Sequence, residues 1–576
     1  MNLVLAPRSV LAVASTTTLV IGLISNLGTP VEASGPEVRP DVVRSATSSL
    51  KQAVGPELWA EPGLSQRSGV LPCDHTPVGP PPSPGLGDSW NWYIWALNGF
   101  PTATLQSCTV RGMSEHAYVV VEDSQWNVNI DQSKVDLILS HFEDQSIGQF
   151  PDQGIWDLNT TWFGDPPDAI DQDGRVYILY YDFDVNSDGF FWAFDQECDD
   201  TAQFHSNECD VVYMNSSDFD PAGSYLLAVV AHELEHLIHY NYDPNEFSWI
   251  DEGLGELAMW LYGDPDNISA FPTNSDRDLT NFGGNWYDYI KSYMWTLYFA
   301  EHYGGQPTIR ALVAETANST VGHDAVLAAL GYSERFADIF QDWVVANYLD
   351  DTTIADGRYG YFGETIPPFT PFATWSTYPV GPNNASVSHW AGEYVRYLDG
   401  SSLEVTFDGT DTGNFAARAI LLDDVNPTEV VDVSLDGTTE AGSLVLPQVG
   451  STHDELVMVH AKINGSGGTG YTYAAQVDAT DVSETEMAAT ELRLRTRFDG
   501  DELTVSFDTP PEFNGSPYSI ELFDVRGRQV ARVGNGTADS GIISLAAPVK
   551  SLAPGRYFVR LSLAGKQVTA AVTRLR

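Results

Sequence analysis

The sequence predicts an α+β protein in which a mixed helix–strand region is followed by two β-sandwich domains. Three observations predict it. Apolar residues recur at helical spacing through much of residues 221–350. Strand signals return every 8–12 residues from about Glu393 to Val477, with Gly, Asp and Asn breaks between them. The same cadence returns from Leu492 onward as a separate module. A chain of 576 residues has room for three or four domains, and an apolar content of 43% is enough to build packed cores.

Taken in order, residues 1–33 read as a secretory signal. Arg8 supplies positive charge, Val10 to Ile24 is mostly apolar, and Val31-Glu32-Ala33 offers small residues before a cut preceding Ser34. No later stretch is long and apolar enough to span a bilayer, so the expected product is secreted, with cell-surface attachment as a variant. Residues 34–89 are rich in Pro, Ser and Gly and read as a linker or a pro-segment. Residues 90–385 form the mixed region. Tyr118–Val121 and Val176–Tyr181 are expected strands, and Lys134–Phe142 an expected helix. Asp220-Pro221 reads as a cap and first helical residue for a long helix. Further helices are expected over Ile250–Leu261, over Tyr289–Tyr303 (stopped by Gly304-Gly305), and within 326–349. Residues 386–485 form the first sandwich, with strands at Leu403–Phe407, Ala417–Leu422, Val430–Leu435 and Leu456–Ile463. Residues 486–576 form the second.

Charge narrows the function. Acidic residues number 79 against 28 basic ones, a net of −51. A field of that sign repels phosphate and anionic lipid, which argues against nucleic-acid and membrane-surface partners. The last 86 residues depart from this, with a net of +3. The four cysteines, Cys73, Cys108, Cys198 and Cys209, fit two disulfides in an exported chain. Proximity in sequence favours Cys73–Cys108 and Cys198–Cys209.

The chemistry concentrates in Ala231-His232-Glu233-Leu234-Glu235-His236-Leu237-Ile238-His239. On a helix, residues four apart share a face about 6 Å apart along the axis, so His232 and His236 can hold one metal ion. Glu233 then sits where a general base belongs. A catalytic zinc site needs a third protein ligand and one open position, and a bound zinc supplies hydroxide near neutral pH. Trp249-Ile250-Asp251-Glu252-Gly253-Leu254-Gly255-Glu256 follows after a short loop. Glu252 and Glu256 share a helix face, so one can bind metal while the other accepts the N–H of a ligand histidine. His239 lies about 10 Å along the axis from His232 and is read as a flanking residue. Asp184-Val185-Asn186-Ser187-Asp188-Gly189, ending at Asp195, matches an EF-hand-type calcium loop, with an acidic turn between strands as the alternative.

The pair HELEH and WIDEGLGE resembles the gluzincin metallopeptidases, and among them secreted bacterial peptidases of the hyicolysin type. The resemblance covers roughly residues 115–350. It implies a zincin-like catalytic domain, Glu252 as third zinc ligand, and Glu256 as the carboxylate behind a ligand histidine. Tyr289-Ile290-Lys291-Ser292 resembles the Tyr-x-Lys segment of aminopeptidase N-type members, which implies Tyr289 as oxyanion donor, with Tyr293 as alternate. The gap of 15 residues between His236 and Glu252 is shorter than in thermolysin. Residues 515–576, with Ile520-Glu521-Leu522-Phe523-Asp524-Val525-Arg526-Gly527-Arg528, resemble the C-terminal sorting domain of type IX secretion cargo, which implies an export machinery as a partner. The function expected is a secreted zinc metalloendopeptidase acting on extracellular proteins or peptides, with calcium as a second candidate cofactor. The alternatives are an aminopeptidase of the same clan, or a non-enzymatic adhesin with a structural metal site.

Overall fold

The computed structural model describes residues 45–67, 80, 83–199, 204–273, 275–478, 494–499, 502–509, 513–524, 528–539, 541–550, 552–553 and 555–574. The expected signal and Cys73 lie outside them. The chain divides into two compact units, 1–478 and 479–576.

Among the described residues, unit one opens with two short helices, α1 (Thr47–Val54) and α2 (Pro56–Arg67). Next come strands β1 (Ser89–Ala96), β2 (Thr102–Met113) and β3 (Ala117–Glu122), helices α3 (Gln132–Glu143) and α4 (Ile155–Trp162), and strands β4 (Val176–Tyr181), β5 (Gly189–Phe191) and β6 (Val211–Asn215). The six strands form one sheet in the order β1-β2-β3-β4-β6-β5. β3, β4 and β6 run parallel, and their side chains are almost all buried, as expected of strands covered on both faces. β5 returns antiparallel along β6 and forms one edge.

Helices α5 (Ser224–Tyr242), α6 (Ser248–Tyr262), α7 (Trp286–His302), α8 (Gln306–Val313), α9 (Thr320–Leu330) and α10 (Phe336–Leu349) follow. α5 lies across β5 and β6, α6 folds back on α5, and α7 packs on α6. Where the sequence predicts Pro221 as the first helical residue, α5 begins at Ser224. The Gly223 N–H donates to the Asp220 carbonyl (2.8 Å), so Asp220–Gly223 makes a turn first. The Gly263 cap ends α6 in the left-handed region (φ 113°), where a side chain is disfavoured.

Nine strands complete unit one: β7 (Ala373–Trp375), β8 (Val380–Ser386), β9 (Ala391–Leu398), β10 (Leu403–Gly409), β11 (Phe415–Leu422), β12 (Glu429–Val433), β13 (Ala441–Leu446), β14 (Glu455–Lys462) and β15 (Gly470–Val477). They form two antiparallel-dominated sheets, β13-β10-β15-β8 and β12-β11-β14-β9-β7, around a core of their own. The sandwich thus draws in strands ahead of residue 386. Its outer face is joined to α10: Tyr394 donates to the Val344 carbonyl (2.6 Å), Arg418 pairs with Asp342, and Trp390 meets Phe336 edge-on.

Unit two holds β16 (Leu494–Asp499), β17 (Glu502–Thr509), β18 (Pro517–Asp524), β19 (Gln529–Thr537), β20 (Gly541–Pro548), β21 (Gly555–Leu563) and β22 (Lys566–Arg574). They make sheets β16-β17-β20 and β19-β18-β21-β22 over a separate apolar core. Among the described residues, no helix is long and apolar enough to cross a membrane.

The expected cysteine pairing is not formed. Cys108 and Cys209 are both buried and free, which removes Cys73–Cys108 and Cys198–Cys209. Cys108 lies on β2 with its Sγ donating to the Gln106 carbonyl, and Cys209 packs in the sheet core. Burial pushes both thiols up, away from thiolate character.

Candidate active site

The site lies where α6 crosses α5. His232 and His236 stand one turn apart on α5, their rings edge to face with centroids 4.7 Å apart. Glu252, in the first turn and a half of α6, meets both: its Oε2 is 3.1 Å from His232 Nε2 and 3.5 Å from His236 Nε2. Two donors on one tetrahedral ion with bonds near 2.05 Å are about 3.3 Å apart, so the spacing suits a single ion. His236 Nε2 and Glu252 Oε1 are buried without a hydrogen-bond partner, a costly arrangement that a cation relieves. The three residues form a metal-capable group with all donor atoms within 4.8 Å.

Close approach of the two helices depends on glycine. A Cβ on Gly255 lies 2.8 Å from His232 Cε1 and Nε2, and one on Gly253 lies 2.4 Å from Thr296 Oγ1 on α7. Those two glycines of the WIDEGLGE segment are therefore spaces for neighbouring side chains.

Carboxylates stand behind both imidazoles. Glu256 Oε1 is 3.8 Å from His232 Nδ1. Asp251 Oδ1 is 3.5 Å from His236 Nδ1 and 3.0 Å from His239 Nδ1. His239 is thus bound to Asp251 and takes no part in the metal-capable group with His232. Asp251 went unread in the sequence, although it sits inside the quoted segment. Glu233 is fully buried, and burial pushes its carboxyl up, offset in part by His232 and His236. Burial acts the same way on Glu252, but His236 and His232 outweigh it and hold the carboxyl at about 2.

Tyr289, on α7, lines the same cavity as His232 and Glu256. Tyr293 instead donates to Glu364 (2.7 Å) and is not one of the residues that line that cavity. Of the two tyrosines the sequence offered, Tyr289 is the one at the site.

One segment from the region read as linker or pro-segment occupies this cleft. The Ala46 N–H donates to the Gly189 carbonyl on edge strand β5 (2.9 Å), and Phe191 N–H donates to Thr47 Oγ1 (2.8 Å). Thr47 Oγ1 donates to Glu233 Oε2 (2.9 Å). Tyr289 donates to the Ser45 carbonyl (3.1 Å) and bonds Ser48 Oγ (3.1 Å). Lys51 Nζ lies 3.1 Å from Asp251 Oδ2 and donates to the Glu246 carbonyl (2.8 Å). Trp59, 1% exposed, meets Phe191, Trp192 and Phe194 edge-on, and its carbonyl accepts from Tyr240 (2.9 Å).

The carboxylates of the expected calcium loop are spread among different partners. Asp184 accepts from the Leu97 and Asn98 N–H groups beyond β1. Asp188 accepts from Tyr225 on α5 (2.7 Å), and Asp195 accepts from Asn207 N–H and Tyr213. Strand β5 runs through the motif, and Asp184, Asp188 and Asp195 go to different neighbours and form no acidic group of three among the described residues. Among the described residues, the acidic group outside the cleft is Asp168, Asp171 and Asp210.

No protein-family model and no curated protein matches this chain. Solved structures that match include a Parabacteroides merdae β-glucuronidase at 8% identity, covering 32% of this chain and 27% of that one, with a TM-score of 0.12. They also include the BSP domain of a biofilm-associated protein at 9% identity (34% and 50% covered, TM-score 0.12) and the chicken interferon gamma receptor alpha chain at 15% identity (28% and 85% covered, TM-score 0.12). The chain spans little more than a quarter of the β-glucuronidase. At these TM-scores the likenesses carry no weight on the chemistry of the cleft.

Proposed function

We propose that this chain is a secreted zinc metalloendopeptidase of gluzincin type, held latent by its own residues 45–67. The observation that carries the reading is the convergence of His232 Nε2, His236 Nε2 and Glu252 Oε2, with the Glu233 carboxylate buried beside them. Two nitrogens and one oxygen are one of the donor sets that catalytic zinc sites use. Bound there, zinc supplies Lewis acidity and lowers the pKa of water to about 7.

The protein's own groups supply the rest. Glu233 takes the proton of the attacking water and returns it to the leaving amine. Tyr289 donates to the oxyanion. Glu256 and Asp251 hold the two imidazoles in place. Edge strand β5 offers backbone groups to an extended peptide.

Latency follows from occupancy. Thr47 on Glu233, Ser45 and Ser48 on Tyr289, and Ala46 on β5 engage the groups that a substrate needs. The test uses folded full-length protein carrying a site-specific protease sequence between positions 68 and 79, loaded with zinc. Cutting is expected to raise casein hydrolysis by at least about 100-fold, and Glu233→Gln is expected to keep zinc while losing roughly 10²–10⁴-fold in turnover. Full activity before the cut sinks the latency. Equal turnover in Glu233→Gln sinks the catalytic assignment.

A further inference from the structure

Trp59 is the one tryptophan of residues 45–67, and it fills an aromatic pocket. Its ring meets Phe191, Trp192 and Phe194 edge-on, with centroids 6.1, 5.7 and 6.4 Å away. Edge-to-face contacts at that distance are the favourable geometry for aromatic pairs. Tyr240, on α5, packs against Phe191 with ring centroids 5.2 Å apart and donates to the Trp59 carbonyl (2.9 Å). The pocket is not made by α2. Its walls belong to β5 and to the short helical turn Ala193–Gln196 that follows. They are braced from behind, Trp192 by Trp95 and Phe194 by Phe204, each pair with ring centroids 4.4 Å apart.

Strand β5 also fixes where the pocket lies. A Cβ on Gly189 would sit 3.0 Å from Glu233 Cγ, so the start of the strand runs beside that carboxylate. Phe191, the first wall of the pocket, is two residues further on, about 7 Å along a strand. Its N–H donates to Thr47 Oγ1 (2.8 Å). The pocket is therefore next to the cleft by the course of β5, whatever conformation its occupant has.

This inference rests on the latency proposed above: when residues 45–67 leave, the walls that Trp59 covers open onto the working cleft. On that reading we infer that the pocket is an exosite for a protein substrate, taking a Trp or Phe side chain a few residues from the bond that is cut, with Tyr240 donating to a carbonyl of the bound chain. The seated Trp59 displays the size and class of side chain that fits. An alanine leaves the three walls in water, and a charged side chain enters at the cost of its hydration. An apolar patch newly exposed beside a cleft is where recognition concentrates.

The experiment takes the folded, zinc-loaded, cut full-length protein and peptides that share one cleaved bond. They differ at a single position, set about two to four residues from that bond, which carries Trp, Phe, Ala or Glu. At one such position Trp and Phe are expected to lower KM about 10–100-fold against Ala with kcat held, and Glu to be the poorest. N-acetyltryptophanamide is expected to compete with the Trp peptide and to leave the KM of the Ala peptide unchanged. Phe194→Ala is expected to pull the Trp-to-Ala ratio toward one. In uncut protein, Trp59→Ala is expected to bind indole by calorimetry where uncut wild type binds none, which reads the pocket without cut or turnover. Equal KM for Trp and Ala peptides at every position, a ratio unmoved by Phe194→Ala, no competition by N-acetyltryptophanamide, or no indole binding by Trp59→Ala overturns the exosite while leaving a latent peptidase. Binding of indole by Trp59→Ala and of N-acetyltryptophanamide by the cut protein, with no cleavage of any peptide, upholds the pocket and removes the catalytic reading instead.

Discussion

Gly255 shows how narrowly the metal-capable group is built. Alanine there gains helix propensity worth up to about 1 kcal/mol, yet its Cβ lands 2.8 Å from two atoms of the His232 ring. That ring cannot swing aside without leaving Glu252. Gly255→Ala is therefore expected to destabilise the first unit by about 1–3 kcal/mol and to weaken zinc retention, read by chelator competition. Glu252→Ala is expected to weaken zinc retention further, since it removes a donor; unchanged affinity moves the third ligand to Glu256. Much of this site was legible in the sequence. The i, i+4 histidines and Glu233 are local facts of a helix, and Glu252 follows from a helix that doubles back. Asp251 and Thr47 were not legible, because nothing in residue spacing says that segments as much as 244 positions apart meet in one cleft.

Helices and strands tell the same story at the next scale. Strand Val176–Tyr181 and helices α5 and α6 follow their apolar periodicity closely. Helix α1 does not follow from its sequence. Eight residues are too few to hold a helix alone in water, and Thr47-Ser48-Ser49 carries no strong preference, so its helicity depends on the cleft it occupies. The junction of α6, α7 and α9 shows a different dependence. His323 on α9 is 1% exposed, stacks on Trp249 and accepts from Trp295 Nε1–H (3.1 Å). Burial pulls it down to about 4. The native imidazole is then neutral, while the unfolded chain takes up a proton below about pH 6.5. The first unit should hold its full stability above that pH and lose on the order of 3 kcal/mol from this group as pH falls to about 4. His323→Gln keeps an acceptor for Trp295 and cannot be protonated. Wild type and variant melting temperatures should converge as pH drops from 6.5 to 4; a constant offset refutes the assignment.

For the whole molecule, the division at 478/479 separates the apolar core of the second unit from the two of the first. The full chain is expected to melt in two calorimetric transitions, and a chain ending at Asp478 to lose one of them with its zinc affinity unchanged. Within the first unit the reverse holds: the sandwich and α10 share buried residues, including Tyr394, Val457 and Val459, so they should unfold together. Fold class and the two sandwiches were legible because strand cadence is a local signal, whereas that shared face arises only from tertiary packing.

The segment in the cleft has one more consequence, of tether and dilution. While it remains joined to the chain, its effective concentration at the cleft is on the order of millimolar, so modest contacts keep it seated. Severed, it faces the same contacts at the concentration of free peptide, which in dilute solution is far lower. On the proposed latent state, opening is then a one-way event, timed by a single cut and driven onward by escape rather than by any change in the contacts themselves.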